Sequence, residues 1–292
     1  MTVKIVTDST ADLPPWLASE LGITVVPAYL RFGGDVYRDR VDISEDEFYR
    51  RLIHDPTSPT TEPPTPQDFA DIYRKLSEEA NGIISIHISS KLSATYSSAL
   101  RGSELIEMDC PIEVVDSKLL TMGLGLLAIV AANAANTGTS LQQIVEETKL
   151  AIPNIYILGI FDTLKYLVRG GRIGKAKALL GSLMDVKPML TMKDGEIEPS
   201  GQVRHRANGI DRLVQFVSNA RNIQDLAIVY STTFDEAESL ANRMDPIFKK
   251  ERIRRARLGP VLGVHGGPGV LLVVLRLRPG PRKPEASCSR SG

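Results

Sequence analysis

Hydroxyl side chains follow an apolar segment in the first half of the chain. Residues 82–88 (GIISIHI) are β-branched and largely apolar, which predicts a strand buried on both faces, as in a parallel sheet. Residues 89–93 interrupt this run, and residues 94–100 predict a helix whose N-cap is Ser93 or a neighbour. A helix N-terminus at the carboxyl edge of an α/β sheet favours an anion by about 0.3 to 1 kcal/mol, besides its hydrogen bonds. We therefore expect a small acidic group near Ser93; the alternative is that Ser93 only caps its helix.

A second set of oxygen-bearing side chains follows the first predicted strand, residues 3–6. Thr7, Asp8, Ser9 and Thr10 come directly after this strand. If the sheet is parallel, they lie at the same edge as Ser93. The alternative is that this segment only leads into a helix that starts near Asp12 and Pro14.

A proline-rich segment, residues 55–66, contains five prolines in twelve residues. Proline lacks an N–H and restricts the residue before it, so we expect a stiff extended loop that does not join a sheet. Thr60 and Thr61 on such a loop would be positioned donors. A plain connector, capped by Thr65 before the next helix, is an equally open interpretation.

A glycine-rich turn, residues 169–174, holds Gly170 and Gly171 between two arginines. Isolated glycine-rich turns are weak evidence for a site. Taken alone, this segment favours a backbone turn flanked by solvated guanidinium groups.

The order of the elements indicates an α/β protein of two domains. Up to residue 152, strands and helices alternate, which predicts a mainly parallel sheet flanked by helices. After Pro153 the pattern changes, and Lys193-Asp194-Gly195 predicts a hairpin, hence a mixed or antiparallel sheet with helices. We predict domains at 1–152 and 153–278, followed by a disordered basic tail at 279–292.

Composition excludes several classes of protein. The 292 residues are 42% hydrophobic, and 35 basic residues balance 35 acidic ones, so nucleic acid is not an expected partner. Cys110 and Cys288 do not suggest a disulfide framework, and four scattered histidines do not suggest a metal site. Without a signal peptide or an apolar run of about 18 residues, the sequence predicts a cytoplasmic protein.

Six segments, in order along residues 3–270, resemble the DegV family of bacterial fatty-acid-binding proteins. The resemblance implies a long-chain fatty acid such as palmitate, held between two α/β domains as ligand and not as cofactor. It also implies transfer of the lipid to a separate fatty-acid kinase, in lipid transport or fatty-acid metabolism, with transient contact to a membrane surface. The matching segments are residues 6–10, 59–61, 89–96, 169–173, 187–188 and 263–265.

The resemblance also implies roles for individual residues. Residues 1–152 would carry the carboxylate-binding loops, and residues 153–278 would form the lipid tunnel. Thr61 and Ser93 match the residues that bind the carboxylate in the family, and His265 and Arg204 resemble its basic groups near the head group. The supporting residues would be Thr60, Asp8, Ser9, Gly170 and Gly171.

Two departures from the family pattern have physical consequences. Glu62 places a carboxylate beside the expected head-group site, where two like charges about 4 Å apart repel by roughly 4 kcal/mol at an effective dielectric near 20. Glu62 must therefore point away, take up a proton or weaken binding. The segment from Val270 onward is unlike the usual family ending, which puts the final strand in question.

An enzyme is the rival interpretation. Asp8, Ser93 and His265 could line the cleft of a small-molecule hydrolase or a phosphoryl-transfer enzyme. The sequence has neither a G-x-S-x-G elbow nor a Walker loop, so we expect a carrier and not an enzyme.

Overall fold

The computed structural model describes residues 2–181 and 186–278. It confirms the predicted fold class, an α/β protein with a parallel sheet flanked by helices and a mixed sheet that also packs on helices. The last helix beside the first sheet ends at Ala151, and the second sheet begins at Ile155. We keep residue 152 as the proposed domain boundary. The predicted tail at 279–292 and Cys288 lie outside the described residues.

The strands and helices have the following bounds. The strands are β1 (Val3–Asp8), β2 (Ile23–Val26), β3 (Tyr29–Phe32), β4 (Asp35–Arg38), β5 (Thr60–Glu62), β6 (Gly82–His87), β7 (Ile112–Asp116), β8 (Ile155–Ile160), β9 (Lys187–Lys193), β10 (Glu196–Val203), β11 (Ile223–Tyr230), β12 (Arg254–Arg257) and β13 (Leu271–Leu277). The α-helices are α1 (Pro15–Glu20), α2 (Glu45–His54), α3 (Pro66–Ser77), α4 (Thr95–Glu104), α5 (Thr121–Asn136), α6 (Leu141–Ala151), α7 (Lys165–Arg169), α8 (Arg206–Ser218), α9 (Phe234–Met244) and α10 (Pro260–Gly266).

The first sheet has the order β2-β1-β6-β7, and all of its strands are parallel. Every residue of β6 is buried, as its apolar composition predicted. Alternate side chains of β6 face opposite sides: Ile83 packs with α3 and α4, whereas Ile84 and Ile86 pack with α5 and α6. Helix α5 is buried around most of its surface, and no helix in the described ranges is long and apolar enough to cross a bilayer.

The second sheet has the order β10-β9-β8-β13-β11-β12. Its neighbours are antiparallel except β11 and β12, and the hairpin predicted at residues 193–195 joins β9 to β10. The questioned final strand, β13, lies inside this sheet, and residues 271–275 are buried. Its apolar run is therefore a core strand, because it is covered on both faces and paired on both sides.

Pro27 separates β2 from β3, which belong to different sheets. The expectation that the proline-rich segment joins no sheet is wrong. The proline-rich segment does pair, because its three residues 60–62 form β5 on the edge of an antiparallel sheet ordered β4-β3-β5. These three residues lie between Pro59 and Pro63 and keep their N–H groups, and proline is tolerated beside an edge strand.

Replacing Leu275 with alanine should lower the free energy of unfolding by about 2–5 kcal/mol, since a fully buried leucine in β13 would leave a cavity. Leu150 on α6 is 54% exposed, so Leu150→Ala is the control and should change it by less than about 0.5 kcal/mol. Urea unfolding followed by circular dichroism measures both. Equal effects of the two substitutions would contradict the position of β13.

Candidate ligand-binding site

A cavity lies beyond the carboxyl ends of β1 and β6 and is lined by residues from both sides of residue 152. About 910 Å³ of space in and at the mouth of this cavity is not occupied by atoms, including the part open to solvent. Its walls are mostly apolar: Ala28, Pro63, Ile88, Leu92, Ala94, Leu120, Phe161, Leu167, Ile197, Leu258, Val261, Leu262, Val270 and Leu272. Its polar side chains are Thr10, Thr61, Glu62, Ser93, Thr95, Arg172 and His265.

Thr61 reaches the cavity from β5. This strand is fixed by pairing with β3, where Thr61 lies opposite Leu30. The Thr61 hydroxyl forms a hydrogen bond of 3.0 Å with Nε2 of His265, which belongs to α10. Two residues 204 positions apart are thus joined at the cavity, one from each part of the chain.

His265 is neutral at pH 7. Burial, together with the nearby Arg172 and Arg169 guanidinium groups, lowers the pKa of His265 to about 4. Its Nδ1 has no hydrogen-bond partner within residues 2–181 and 186–278. Because buried N–H groups without an acceptor are rarer than acceptors without a donor, we assign the single ring proton to Nε2. His265 then donates to Thr61, which leaves the Thr61 hydroxyl proton free for a ligand oxygen.

Gly170 makes room for this histidine. A Cβ atom at Gly170 would lie 2.1 Å from Nδ1 of His265, far inside any allowed contact. Its φ of −78° is ordinary, so the contact and not the backbone excludes a larger residue. The next residue, Gly171, has a φ of +69°, where glycine is favoured. Gly170 of this turn thus packs directly against a cavity residue, His265.

Ser93 lies just before α4. The N-cap is its neighbour Ala94, and the Ser93 hydroxyl accepts a hydrogen bond of 3.3 Å from the Thr95 amide. The Ser93 and Thr95 hydroxyl groups are 2.8 Å apart. If Thr95 donates, the Ser93 proton is available to a ligand in the cavity. Both Ser93 and Thr61 can therefore act as donors.

Asp8 and Ser9 do not line the cavity but hold residues that do. The Asp8 carboxylate accepts hydrogen bonds from the amides of Thr10 and Ile88, both at 3.1 Å, and from the Thr10 hydroxyl. The Ser9 hydroxyl accepts from the Ala28 amide at 3.1 Å. Thr60, next to Thr61 on β5, is exposed and also outside the lining.

The described hydrogen bonds do not join Asp8, Ser93 and His265 into a catalytic triad. Asp8 contacts His87 and not His265, at 2.9 Å from Nδ1. Ser85 continues this chain at 2.7 Å from Nε2 of His87, which gives the order of groups found in a serine hydrolase. All three of these residues are 0% exposed, however, so a substrate has no access to Ser85.

Arg204 lies away from the cavity, whereas Glu62 reaches it. Arg204 is exposed before α8 and is not part of the cavity lining. Arg172 lines the cavity instead, and it donates a hydrogen bond to the Leu92 carbonyl at 3.2 Å. Its position in the glycine-rich turn is the feature of the sequence that could have identified it. The Glu62 carboxylate pairs with the Arg31 guanidinium at 3.1 Å. This pairing offsets the charge that would repel a carboxylate ligand.

No group of histidine, cysteine and carboxylate side chains within the described ranges has the arrangement of a metal site. The cavity offers hydroxyl donors, one neutral imidazole, one guanidinium and a long apolar wall. Such a surface suits a ligand with a small acidic head and an apolar body.

The fold is that of a two-domain α/β protein in which residues of both domains line a mostly apolar cavity that also holds hydroxyl donors. The sequence profile described as the uncharacterised DegV family matches residues 2–277. A DegV domain-containing protein of Streptomyces coelicolor is 36% identical over 280 residues, which cover 94% of this chain and 99% of the relative. The chain belongs to the DegV family, as its motifs indicated.

Solved structures show the same architecture. A DegV family protein from Thermus thermophilus, whose structure is described as showing fatty-acid binding, is 32% identical, with a TM-score of 0.86 over 95% of this chain and all of the other. A stearic-acid-binding protein from Eubacterium ventriosum is 29% identical, with a TM-score of 0.84 over 94% of this chain and 98% of the other.

Replacing Gly170 with alanine should displace His265 and break its hydrogen bond with Thr61, because the new methyl group would overlap Nδ1. We expect the affinity for a carboxylate-headed ligand to fall at least about tenfold, the equivalent of one hydrogen bond of roughly 1.4 kcal/mol. Isothermal titration of the delipidated protein measures it. Gly34→Ala is the control, since a Cβ there meets no atom within 4 Å. Equal affinities of the two variants would contradict the role of this contact.

Proposed function

We propose that this protein binds a long-chain fatty acid such as palmitate between its two domains and carries or presents it in lipid transport or fatty-acid metabolism. The observation that carries the proposal is that Thr61, Ser93 and His265 line one mostly apolar cavity to which both domains contribute residues, with Thr61 hydrogen-bonded to His265. The relatives described as binding fatty acids support it. A cytoplasmic location remains a prediction.

The apolar wall would supply most of the affinity. Burying one methylene group contributes about 0.8 kcal/mol, so a sixteen-carbon chain contributes on the order of 10 kcal/mol before the cost of association. A hydrogen bond to an ionised carboxylate adds about 1.5 to 3 kcal/mol. The tail therefore provides most of the affinity, and the head group fixes the orientation of the ligand in the cavity.

In this proposal Thr61 and Ser93 donate to the carboxylate, His265 orients the Thr61 hydroxyl, and Arg172 supplies positive charge. We assign that charge to Arg172 and not to Arg204, because Arg172 lines the cavity. Asp8 and Ser9 support the site through the residues they hold, and Gly170 does so through its contact with His265.

The double substitution Thr61→Ala with Ser93→Ala should abolish retention of palmitate, since it removes two donors worth about 1.5 to 3 kcal/mol each. Mass spectrometry of lipid extracted from the purified protein, and palmitate binding to delipidated protein, measure the effect. Thr57→Ala with Ser97→Ala is the control, because these exposed residues lie on the same loop and helix but outside the cavity. Unchanged palmitate binding by the first variant, or no lipid in the native protein, would contradict the proposal.

The proposal extends to a separate fatty-acid kinase as the partner that receives the head group. Residues 165–177 hold five basic and no acidic residues and contribute Leu167 and Arg172 to the cavity, so an anionic partner can approach its polar side. With a fatty-acid kinase and ATP added, palmitate held by this chain should be phosphorylated faster than free palmitate; equal rates would argue against presentation.

Transient membrane contact is the weaker extension, and flotation with anionic vesicles measures it.

A further inference from the structure

A second charged cluster lies buried where the N-terminal part of the chain meets the start of α10. Asp12 is 1% exposed, Asp39 is 2% exposed, and the Arg40 guanidinium lies between them and Glu45. Arg40 is 3.1 Å from Asp12 and 3.1 Å from Glu45. One guanidinium thus faces three carboxyl groups, none of which lines the cavity.

Asp12 connects this cluster to the helix that carries His265. Its carboxylate accepts hydrogen bonds from the Gly259 amide at 2.9 Å and from the Thr121 hydroxyl at 2.6 Å. Gly259 is the N-cap of α10, and Arg40 donates to the carbonyl of Arg257 two residues earlier. The two residues Asp12 and Arg40 therefore fix the entry of α10 to the N-terminal domain.

The charges of the cluster do not balance when all three carboxyl groups are ionised. Asp39 adds to this excess, because it is buried and forms no ion pair within 4.0 Å among the described residues; its donors are the Ser9 hydroxyl and the Val261 amide, in contacts that fall short of full hydrogen-bond geometry. The other titratable neighbours do not compensate. Tyr49 uses its hydroxyl on the Leu258 carbonyl, and Arg257 is paired with the exposed Asp46. A buried excess of negative charge is costly, and binding a proton removes it.

We propose that Asp12 and Arg40 are positioning residues that hold α10, and with it His265, against Thr61, and that this interdomain clamp closes fully only when its carboxyl cluster holds a proton. The proposal rests on the proposed fatty-acid site. It predicts that lipid retention depends on pH through residues outside the cavity.

The direction of the pH dependence follows from burial. Burial raises the pKa of Asp12 to about 7, against the opposing effect of Arg40, and it raises the pKa of Asp39 to about 6. A solvated aspartate has a pKa near 3.9, so the closed protein binds a proton that the opened protein releases. The closed state is thus favoured at low pH, and this advantage is lost as the pH rises through 6 and 7. His265, with a pKa of about 4, does not titrate in this range.

The test is the dissociation rate of palmitate from the full chain at pH 6, 7 and 8. For the native protein we expect the rate to rise about tenfold from pH 6 to pH 8, since one pKa unit corresponds to a factor of ten. Asp12→Asn keeps an acceptor for the Gly259 amide but carries no charge, so its rate should change less than about twofold. Asp46→Asn is the control: it removes the exposed interdomain pair with Arg257 and should behave like the native protein.

A lipid-free measurement separates this inference from the proposed function. The thermal midpoint of the native apoprotein should fall between pH 6 and pH 8 relative to that of Asp12→Asn. Asp39→Asn should also reduce this pH dependence, and it is the variant to use if Asp12→Asn folds poorly. Absence of palmitate binding at every pH would refute the proposed function alone. Equal pH slopes for the native protein and Asp12→Asn, in dissociation or in midpoint, would overturn the clamp.

Discussion

The hydrogen bond between Thr61 and His265 is the interaction on which the site depends, because it joins two cavity-lining residues, one from each domain. Each partner needs its own support. Thr61 is held by a three-residue edge strand, and His265 has room only because residue 170 is glycine. This hydrogen bond therefore forms only when both domains hold their residues in place. A ligand that accepts a hydrogen bond from Thr61 depends on the same arrangement.

Much of the fold could be predicted from apolar patterns, because they record burial directly. The run at 82–88 and the turn at Lys193-Asp194-Gly195 each specify one local structure. The pairing of β5 could not be predicted in this way, since its partner β3 lies about 30 residues earlier and the local proline content argued against any strand. Local sequence indicates the conformation that a segment prefers, whereas an edge strand also depends on the strand with which it pairs, which can be distant in sequence.

The site shows the same division. Thr61, Ser93 and His265 line one cavity, and the arginine that lines it with them is Arg172 and not Arg204. Both arginines lie in polar segments near turns, and spacing alone does not say which turn faces inward. The buried polar groups differ in another way: both carboxylate oxygens of Asp8 accept hydrogen bonds, whereas Nδ1 of His265 has no hydrogen-bond partner among the described residues. Unpaired groups of this kind mark places where the fold is constrained by more than its own stability.

The central position of β13 affects how the protein is made. Leu272 of this strand and Val270, the residue just before it, belong to the cavity wall, and the strand pairs with both β8 and β11. During synthesis on the ribosome, the N-terminal parallel sheet can form while later residues are still being added. The second sheet lacks its middle strand until the last described residues have emerged, and pairing of residues this distant along the chain is slow. A nascent chain therefore exposes the apolar side of an unfinished sheet, and its cavity is complete only after residues 270–277 have emerged from the ribosome.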